Sequence, residues 1–157
     1  MDASEISKLL ARQDFFSGLK DEHRDWLAEQ AVEAEFDAGQ LVARAGEKAD
    51  RFYLILEGEL VVEVPALAGP SLEVIRLGAD RIFGWSWLIR PYKWHFNARA
   101  GEPTRALDFD GKAILDRCEE DSEFGYELLK RFSSLMGARL ESAQRKMMDQ
   151  WAPEGMP

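Results

Sequence analysis

Apolar residues in the first part of the chain recur at helical spacing. One set predicts a short amphipathic helix that leads into a turn; it comprises Ile6, Leu9, Leu10, Phe15, Phe16 and Leu19. A second helix is predicted to begin at Lys20 and to carry Trp26, Leu27 and Ala31. The helical pattern stops at Glu33.

From Glu33 to Asp110 the chain is strand-like, and turn signals containing glycine recur about every ten residues. This spacing is typical of an antiparallel sandwich or barrel. The predicted strands cover residues 40–45, 51–57, 59–64, 71–77, 94–100 and 104–109.

The helical period returns after Gly111. A short helix is predicted around Ala113–Leu115 and should end near Cys118, and acidic residues 119–121 with Ser122 should cap a long helix after it. The apolar positions of that long helix are Phe124, Leu128, Leu129, Phe132, Leu135, Met136, Leu140, Ala143 and Met147. We therefore divide the chain into a helix-flanked β region with its short helix (1–118), a long C-terminal helix (119–151) and a disordered tail (152–157).

Composition narrows the class of protein. The 157 residues suffice for one compact domain, and five tryptophans and nine phenylalanines provide a core. The net charge of −9 opposes binding to nucleic acid and to anionic membranes. The amino terminus lacks the layout of a secretory signal, and no apolar run approaches the ~20 residues of a membrane helix. We expect a cytoplasmic protein with neither nucleic acid nor membrane as a partner.

Residues 36–60 carry a family resemblance. The segment Phe-Asp-Ala-Gly-Gln-Leu-Val-Ala-Arg-Ala-Gly-Glu-Lys-Ala-Asp-Arg-Phe-Tyr-Leu-Ile-Leu-Glu-Gly-Glu-Leu resembles the opening of cyclic-nucleotide-binding domains, including the sensor domains of catabolite-activator-type regulators. Gly39, Gly46 and Gly58 stand where such domains make tight turns that need a positive φ. The resemblance implies a jelly-roll or double-stranded β-helix fold (a β-roll) that is mainly β, with flanking helices and a long C-terminal helix.

The binding cassette, residues 82–100, departs from that family. In nucleotide-binding relatives a Phe-Gly-Glu sequence supplies a glutamate for the ribose, and a later Arg-Ala-Ala-Thr sequence supplies an arginine for the cyclic phosphate. Here Phe83 and Gly84 match, but Trp85 replaces the glutamate and Trp94 aligns with the arginine. Loss of one partner of a buried charge pair costs ~3–5 kcal/mol, or about two to four decades in affinity. Ordinary binding of cyclic AMP is therefore doubtful, unless Arg90 or Lys93 holds the phosphate instead.

Two interpretations of the aromatic cassette remain open. In the first, its rings form a remodelled pocket for a flat or apolar ligand, and Arg90 or Lys93 neutralises an acidic group of that ligand. In the second, the rings fill the space that a nucleotide would occupy and serve only as packing. The candidate ligand-binding residues are Phe83, Gly84, Trp85, Ser86, Trp87, Arg90, Tyr92, Lys93, Trp94 and Phe96.

Catalytic and metal-binding patterns are missing from the sequence. The only histidines are His23 and His95, too few for a metal-binding cupin, and Ser86 lacks the second glycine of a hydrolase elbow. Cys118 is the single cysteine, and the neighbouring Glu119 and Glu120 should raise the pKa of its thiol. We expect no enzyme activity, metal or cofactor.

The long helix carries the strongest signal for a partner. Met136, Leu140, Ala143 and Met147 recur at spacings of four, three and four, as in a coiled coil. In catabolite-activator-type relatives this helix pairs two subunits, so we expect a homodimer. Our first hypothesis is a stand-alone ligand sensor that regulates through a protein partner; the alternative is a ligand-free pseudo-sensor that serves as an interaction or assembly subunit.

Overall fold

A computed structural model describes residues 1–151 of the chain. Its eight strands are β1 (Ala31–Phe36), β2 (Leu41–Ala43), β3 (Arg51–Glu57), β4 (Leu60–Val64), β5 (Leu72–Leu77), β6 (Ile82–Phe83), β7 (Asn97–Ala100) and β8 (Thr104–Asp110). They form two antiparallel sheets, a first in the order β1-β8-β3-β6 and a second in the order β2-β7-β4-β5. The structure confirms the predicted β-roll class.

Five helices flank the sheets. They are α1 (Ala3–Ala11), α2 (Asp14–Ser17), α3 (Asp21–Glu29), α4 (Gly111–Glu120) and α5 (Ser122–Trp151). The Asp110 carboxylate accepts a hydrogen bond from the Ala113 backbone N–H at 3.1 Å, and Asp121 accepts one from Phe124 N–H at 3.2 Å. These side chains satisfy backbone donors that a helix start leaves unpaired. Acidic capping of α5 was predicted and is present.

Several element boundaries differ from the prediction. The amino-terminal helix is divided into α1 and α2, and the short helix continues two residues beyond Cys118, to Glu120. The strand predicted at 40–45 shortens to Leu41–Ala43. The one predicted at 94–100 shortens to Asn97–Ala100, because the Trp94 backbone instead bonds to the turn at Gly46 and Glu47.

Strand β1 was not predicted. It is an edge strand of the first sheet, paired only with β8, and most of its side chains are exposed or half-buried. An edge strand with so little burial shows weak hydrophobic alternation, so the sequence signal for it was poor.

Strand β3 separates two apolar cores because successive side chains point to opposite faces of a sheet. Phe52 and Leu54 face the helices and belong to what we call the helix-side core. Tyr53 and Ile55 face the interior of the roll and belong to the roll core, where they meet Leu60 of the second sheet.

The predicted glycine turns are confirmed. Gly39, Gly46 and Gly58 have φ values of +83°, +90° and +97°. At Gly58 a β-carbon would also lie 2.5 Å from Thr104 Oγ1, so the turn between β3 and β4 excludes any side chain.

Rings join the long helix to the first sheet. Phe52 stacks on Phe109 with 4.5 Å between ring centroids, and Trp87 stacks on Phe52 at 5.3 Å. Phe132 of α5 contacts both Phe52 and Trp87 edge-on at 5.1 Å. Edge-to-face and offset-stacked pairs are favourable geometries for aromatic rings. This cluster anchors the first half of α5 directly behind the cassette.

Candidate ligand-binding site

The cassette runs from β6 to β7 and closes one side of the roll. Its first strand pairs with β3 through Phe83 opposite Tyr53 and Ile82 opposite Leu54. Gly84 follows with φ +111°, a conformation that L side chains rarely adopt. This turn lies between Phe83, in the roll core, and Trp85 and Trp87, which pack in or against the helix-side core.

Trp94 fills the interior of the roll. Its indole is 8% exposed and stacks on Phe83 with 5.2 Å between centroids and 20° between planes. A β-carbon at Gly84 would lie 3.0 Å from Trp94 Cζ3, so the glycine and the indole fit closely against each other. The Trp94 ring therefore occupies space inside the roll and presents no charge there.

Trp85 and His95 cover the outer side of this packing. The Trp85 ring lies 6.0 Å from the His95 ring and 5.7 Å from Phe96, between centroids. The Ser86 hydroxyl shares a hydrogen bond of 2.9 Å with His95 Nδ1. Ser86 is buried, and no carboxylate of the described range contacts His95, so the pair lacks the orienting acid of a hydrolytic triad.

The space that remains between these groups is very small. A cavity of about 10 Å³ is lined by Phe83, Gly84, Trp85, Ser86, Trp94, His95 and Phe96. Such a volume is at the lower limit for one water molecule and far below that of a small-molecule pocket. Six of the ten predicted ligand-binding residues thus lie together around a space that is closed in this structure.

The other four predicted residues do not join this group. Trp87 turns to the opposite side, donates from Nε1 to the Gly84 carbonyl at 3.2 Å, and is buried in the helix-side core. Arg90 and Lys93 are exposed, and Tyr92 is half-buried with φ +60°. Neither cation lines the cavity. The ring-and-cation pocket, one of the two interpretations left open by the sequence, stays a prediction.

A wider hollow lies at the solvent side of Trp94. It has a volume of about 490 Å³, and its polar walls include Lys48, Arg51 and Tyr53. Arg51 donates to Asp108 at 2.9 Å, and burial raises the pKa of the Tyr53 hydroxyl to about 12. The phenol therefore stays neutral at physiological pH, while Arg44, Glu47, Lys48, Asp50 and Arg51 bring charged groups to the hollow.

Cys118 follows the sequence prediction only in part. Burial, with smaller contributions from Glu119 and Asp121, raises the pKa of the Cys118 thiol to about 11. The upward direction of this pKa shift was predicted, but its main cause is desolvation and not the neighbouring carboxylates.

Within residues 1–151 no three histidine, cysteine or acidic side chains come together as metal ligands.

The outward surface of α5 carries apolar side chains. Leu140 is 59% exposed and Met147 is 54% exposed, whereas Ala143 is half-buried and Met136 packs partly on the helix-side core. Two further residues, Tyr126 and Leu129, are also exposed and precede Met136 at heptad spacing. No helix in the described part of the chain is long and apolar enough to cross a bilayer.

Sequence reasoning missed one buried charge. Arg139 of α5 is 1% exposed and donates from Nη2 to the backbone carbonyl of Ile82 at 2.6 Å. It stands in the α5 stripe that faces the roll, where the apolar pattern gave no reason to expect a guanidinium. The helical periodicity could have predicted its burial. It places Leu128 and Phe132 on the face of α5 that packs on the sheet, and position 139 lies on the same face.

Two antiparallel sheets, closed on one side by a cassette that begins at a glycine turn and backed by a long helix, define a domain of the β-roll class. The family model of the cyclic nucleotide-binding domain matches residues 33–121. The chain belongs to the cyclic nucleotide-binding domain family.

Individual relatives agree with this assignment. A candidate cyclic nucleotide-binding protein from Geobacter metallireducens GS-15, solved as a crystal structure, superimposes with a TM-score of 0.76 at 29% identity, covering 86% of this chain and 97% of that one. The "CRP-like cAMP-activated global transcriptional regulator" of Mycobacterium tuberculosis is 24% identical over 144 residues, which are 92% of this chain and 62% of the regulator. An uncharacterized M. tuberculosis protein is 34% identical over 85 residues, and the match spans 54% of this chain but only 16% of that protein.

Proposed function

We propose that this chain is a regulatory sensor-type module of the cyclic nucleotide-binding family, for which ordinary cyclic AMP is not the ligand. The observation that carries the proposal is the position of Trp94. Its indole stacks on Phe83 inside the roll, where the family's cassette would present an arginine to a phosphate.

The energy needed to admit a nucleotide supports this view. Trp94 would have to leave the roll core and give up its contact with Phe83, and truncating a buried tryptophan typically costs about 3–5 kcal/mol. Each ~1.4 kcal/mol weakens binding tenfold. This penalty adds to the absence of the carboxylate and guanidinium at positions 85 and 94, so micromolar affinity for cyclic AMP is not expected.

The small cavity favours a second candidate function. A space of about 10 Å³ is too small for a metabolite. A permanently filled roll of this kind is expected of an interaction or assembly subunit that binds no ligand. The two candidates differ in one property: a sensor has a second conformation in which the rings of the cassette separate, and an assembly subunit does not.

The module is proposed to act as a homodimer on a protein partner. The exposed Leu140 and Met147 of α5 supply an apolar surface for pairing, and no catalytic constellation was found at the cassette. The acidic net charge of −9 argues against direct contact with nucleic acid or an anionic membrane. We place this activity in the cytoplasm and assign it no enzymatic step.

Calorimetry with cyclic AMP tests the main proposal. The purified chain should show no binding at concentrations that saturate a micromolar site. The double variant W85E/W94R restores both family charges and is expected to gain affinity if it folds. Low-micromolar binding by the unaltered chain, abolished by R90Q or K93Q, would overturn the proposal.

Thermal unfolding separates the two candidates. A sensor should melt at a higher temperature in the presence of one class of compound from a panel of cyclic nucleotides, 2-oxo acids, aromatic acids and flavins. The same panel should leave W94A unresponsive, because Trp94 forms the wall of the closed space. No shift with any compound would favour the assembly subunit.

A further inference from the structure

Lys48 and Lys93 face each other across a short backbone ladder. An isolated antiparallel bridge pairs them and joins the turn before β3 to the end of the cassette loop. The Ala49 N–H donates to the Tyr92 carbonyl at 2.8 Å on one side of the bridge, and the Trp94 N–H closes the other side with a bond of 2.9 Å. The lysines are therefore a non-hydrogen-bonded pair, the kind in which the two Cα atoms are only about 4.5 Å apart and the side chains start close together.

The like charges of this lysine pair are left uncompensated. Cations directly opposite each other on two strands weaken the pairing. Both lysines are exposed, and neither forms an ion pair with a residue in the range 1–151. The carboxylates of the same turn are engaged elsewhere, because Glu47 lies 3.4 Å from Arg44 and Asp50 lies 3.2 Å from Arg51. An anionic group from outside the chain would relieve the repulsion.

A third cation, Arg90, lies on the cassette loop. It is exposed at the tip of a turn that the Tyr92 N–H closes by donating to the Ile89 carbonyl at 2.9 Å, and it has no ion pair in the described part of the chain. We call Lys48, Arg90 and Lys93 the basic rim. Three uncompensated cations on two joined loops create a local positive potential in a chain whose net charge is −9.

Apolar groups accompany the basic rim. Ile89 is 38% exposed next to Arg90, and Tyr92 is half-buried on the same loop. Arginine and tyrosine are enriched where proteins contact each other, and charged groups around such a surface select the partner by its charge. The rim and its neighbours thus have the composition of a small protein-docking surface.

We propose that the basic rim is the surface through which this module contacts its protein partner, and that it receives an acidic segment of that partner. Carboxylates of the segment would lie between Lys48 and Lys93 and remove the repulsion across the bridge. An apolar residue beside them would cover Ile89. The inference rests on the proposed action through a protein partner, and it adds the surface and the charge of that partner.

The surroundings of the basic rim favour a short acidic segment over an extended polyanion. Glu47 and Asp50 stand close to Lys48 in the same turn, and the chain as a whole is acidic. A nucleic acid or an anionic bilayer reaches well beyond three cations and would meet repulsion around them. A protein segment can present two or three carboxylates at the rim and no further charge.

The basic rim is linked to the filled roll by the backbone. Lys93 directly precedes Trp94, whose ring stacks on Phe83 inside the roll and whose N–H donates to the Glu47 carbonyl. If Trp94 left the roll, this ladder bond would break and Lys93 would separate from Lys48. A partner that binds both lysines therefore favours the closed roll, and opening of the roll weakens the binding of the partner by the same factor.

Fluorescence anisotropy with an acidic probe tests the inference on the full chain. The probe is a fluorescein-labelled peptide, Ser-Asp-Leu-Asp-Glu-Leu-Asp-Ser, and its neutral twin carries Asn and Gln in place of the acids. We expect only the acidic peptide to bind, with an affinity that falls as salt is raised. Equal binding of the two peptides, or no binding of the acidic one, would overturn the inference. Either result leaves the proposal about cyclic AMP intact, because calorimetry tests that separately.

The variant K93E separates docking from a structural role. Glutamate at position 93 converts the like-charge pair with Lys48 into an opposite-charge pair, so the variant should melt no lower than the unaltered chain. It should nevertheless bind the acidic probe about tenfold or more weakly, as expected when an attractive contact becomes a repulsive one. Unchanged affinity in K93E would reject the basic rim.

The matched control is K146E. Lys146 is exposed on α5, outside the basic rim, and its replacement alters the net charge by the same amount as K93E. Affinity for the probe should stay within about twofold, because salt screens a distant charge. An equal loss in both variants would show that net charge alone governs binding.

Competition distinguishes the acidic segment from other anions. Duplex DNA and phosphatidylserine vesicles should not displace the probe at physiological salt. Binding of either one that K93E abolishes would assign the rim to that surface and contradict an acidic protein segment as its occupant.

Discussion

Trp87 and Trp94 are both buried, yet they serve different parts of the molecule. Trp87 packs on Phe52 and Phe132 in the helix-side core, whereas Trp94 stacks on Phe83 in the roll core. The bend at Gly84, which precedes both, directs the chain so that one ring faces each core. The cassette thus contributes aromatic packing on both sides of the first sheet.

Gly84 is the residue on which this arrangement depends. G84A should lower the free energy of unfolding by about 1–3 kcal/mol, because φ +111° strains any β-carbon and because that carbon would press on the Trp94 ring. Urea unfolding measures the change.

Gly78 provides the control for that substitution. It has no positive φ, and a β-carbon added there would meet no atom within 4 Å, so G78A should leave stability unchanged or slightly higher. Equal losses in G84A and G78A would contradict the role given to Gly84.

Cys118 should react slowly with alkylating reagents while the protein is folded. Because its pKa is raised from 9.0 to about 11, the thiolate fraction at pH 8 is about 100-fold smaller than in the unfolded chain. Alkylation by iodoacetamide at pH 8, with and without urea, measures the ratio of rates, and C118S gives the background. The same shift lowers the free energy of unfolding as the pH rises from about 9 to 11, and similar rates in both states would refute it.

At the scale of elements, helix α5 carries apolar residues on two faces. Its inner face buries Phe124, Leu128 and Phe132 against the sheet and ends with Arg139. Its outer face exposes Leu129, Leu140 and Met147 at the spacing of a coiled coil. The exposed apolar residues of the outer face would be removed from solvent if a second chain covered that face.

The double variant L140E/M147E should convert the proposed homodimer to a monomer. Two carboxylates placed in the pairing surface would repel their symmetry mates, and sedimentation velocity measures the change in mass. M148E is the matched control, because Met148 is 71% exposed but lies beside the stripe and not within it. A monomeric unaltered chain, or dissociation by M148E alone, would contradict pairing through this face.

At the scale of the whole molecule, the two cores share the first sheet. Strand β3 contributes Phe52 to one core and Tyr53 to the other, and β8 contributes Phe109 and Ala106 in the same way. A disturbance in one core therefore reaches the other through a backbone that both use. Helices and β-roll should behave as one cooperative unit.

Urea unfolding monitored by two probes tests this cooperativity. Far-UV circular dichroism follows the helices, and fluorescence follows the five tryptophans, of which Trp87 lies in the helix-side core and Trp94 in the roll core. We expect the two transitions to coincide, as in two-state unfolding of a single domain. Two separated transitions would show that α5 or the roll unfolds independently.

Much of the fold was determined by the local sequence. The spacing of glycine turns and the return of a helical period after Gly111 predicted the β-roll and its long helix, because φ > 0 turns and apolar periodicity are local properties. The missing strand β1 and the shortened strand at β7 show the limit, since both depend on distant partners. The predicted tail at 152–157 lies outside the described residues.

The candidate site was determined only partly by sequence. Trp85 and Trp94 stand out along the chain, because the family resemblance implies a glutamate and an arginine at these positions; that their chemistry is altered stays a prediction. Which rings meet was decided by the tertiary structure, which sends Trp87 to one core and Trp94 to the other. Arg139 was also beyond local reasoning, because whether a buried charge is paired depends on residues far away in the sequence that only folding brings near it.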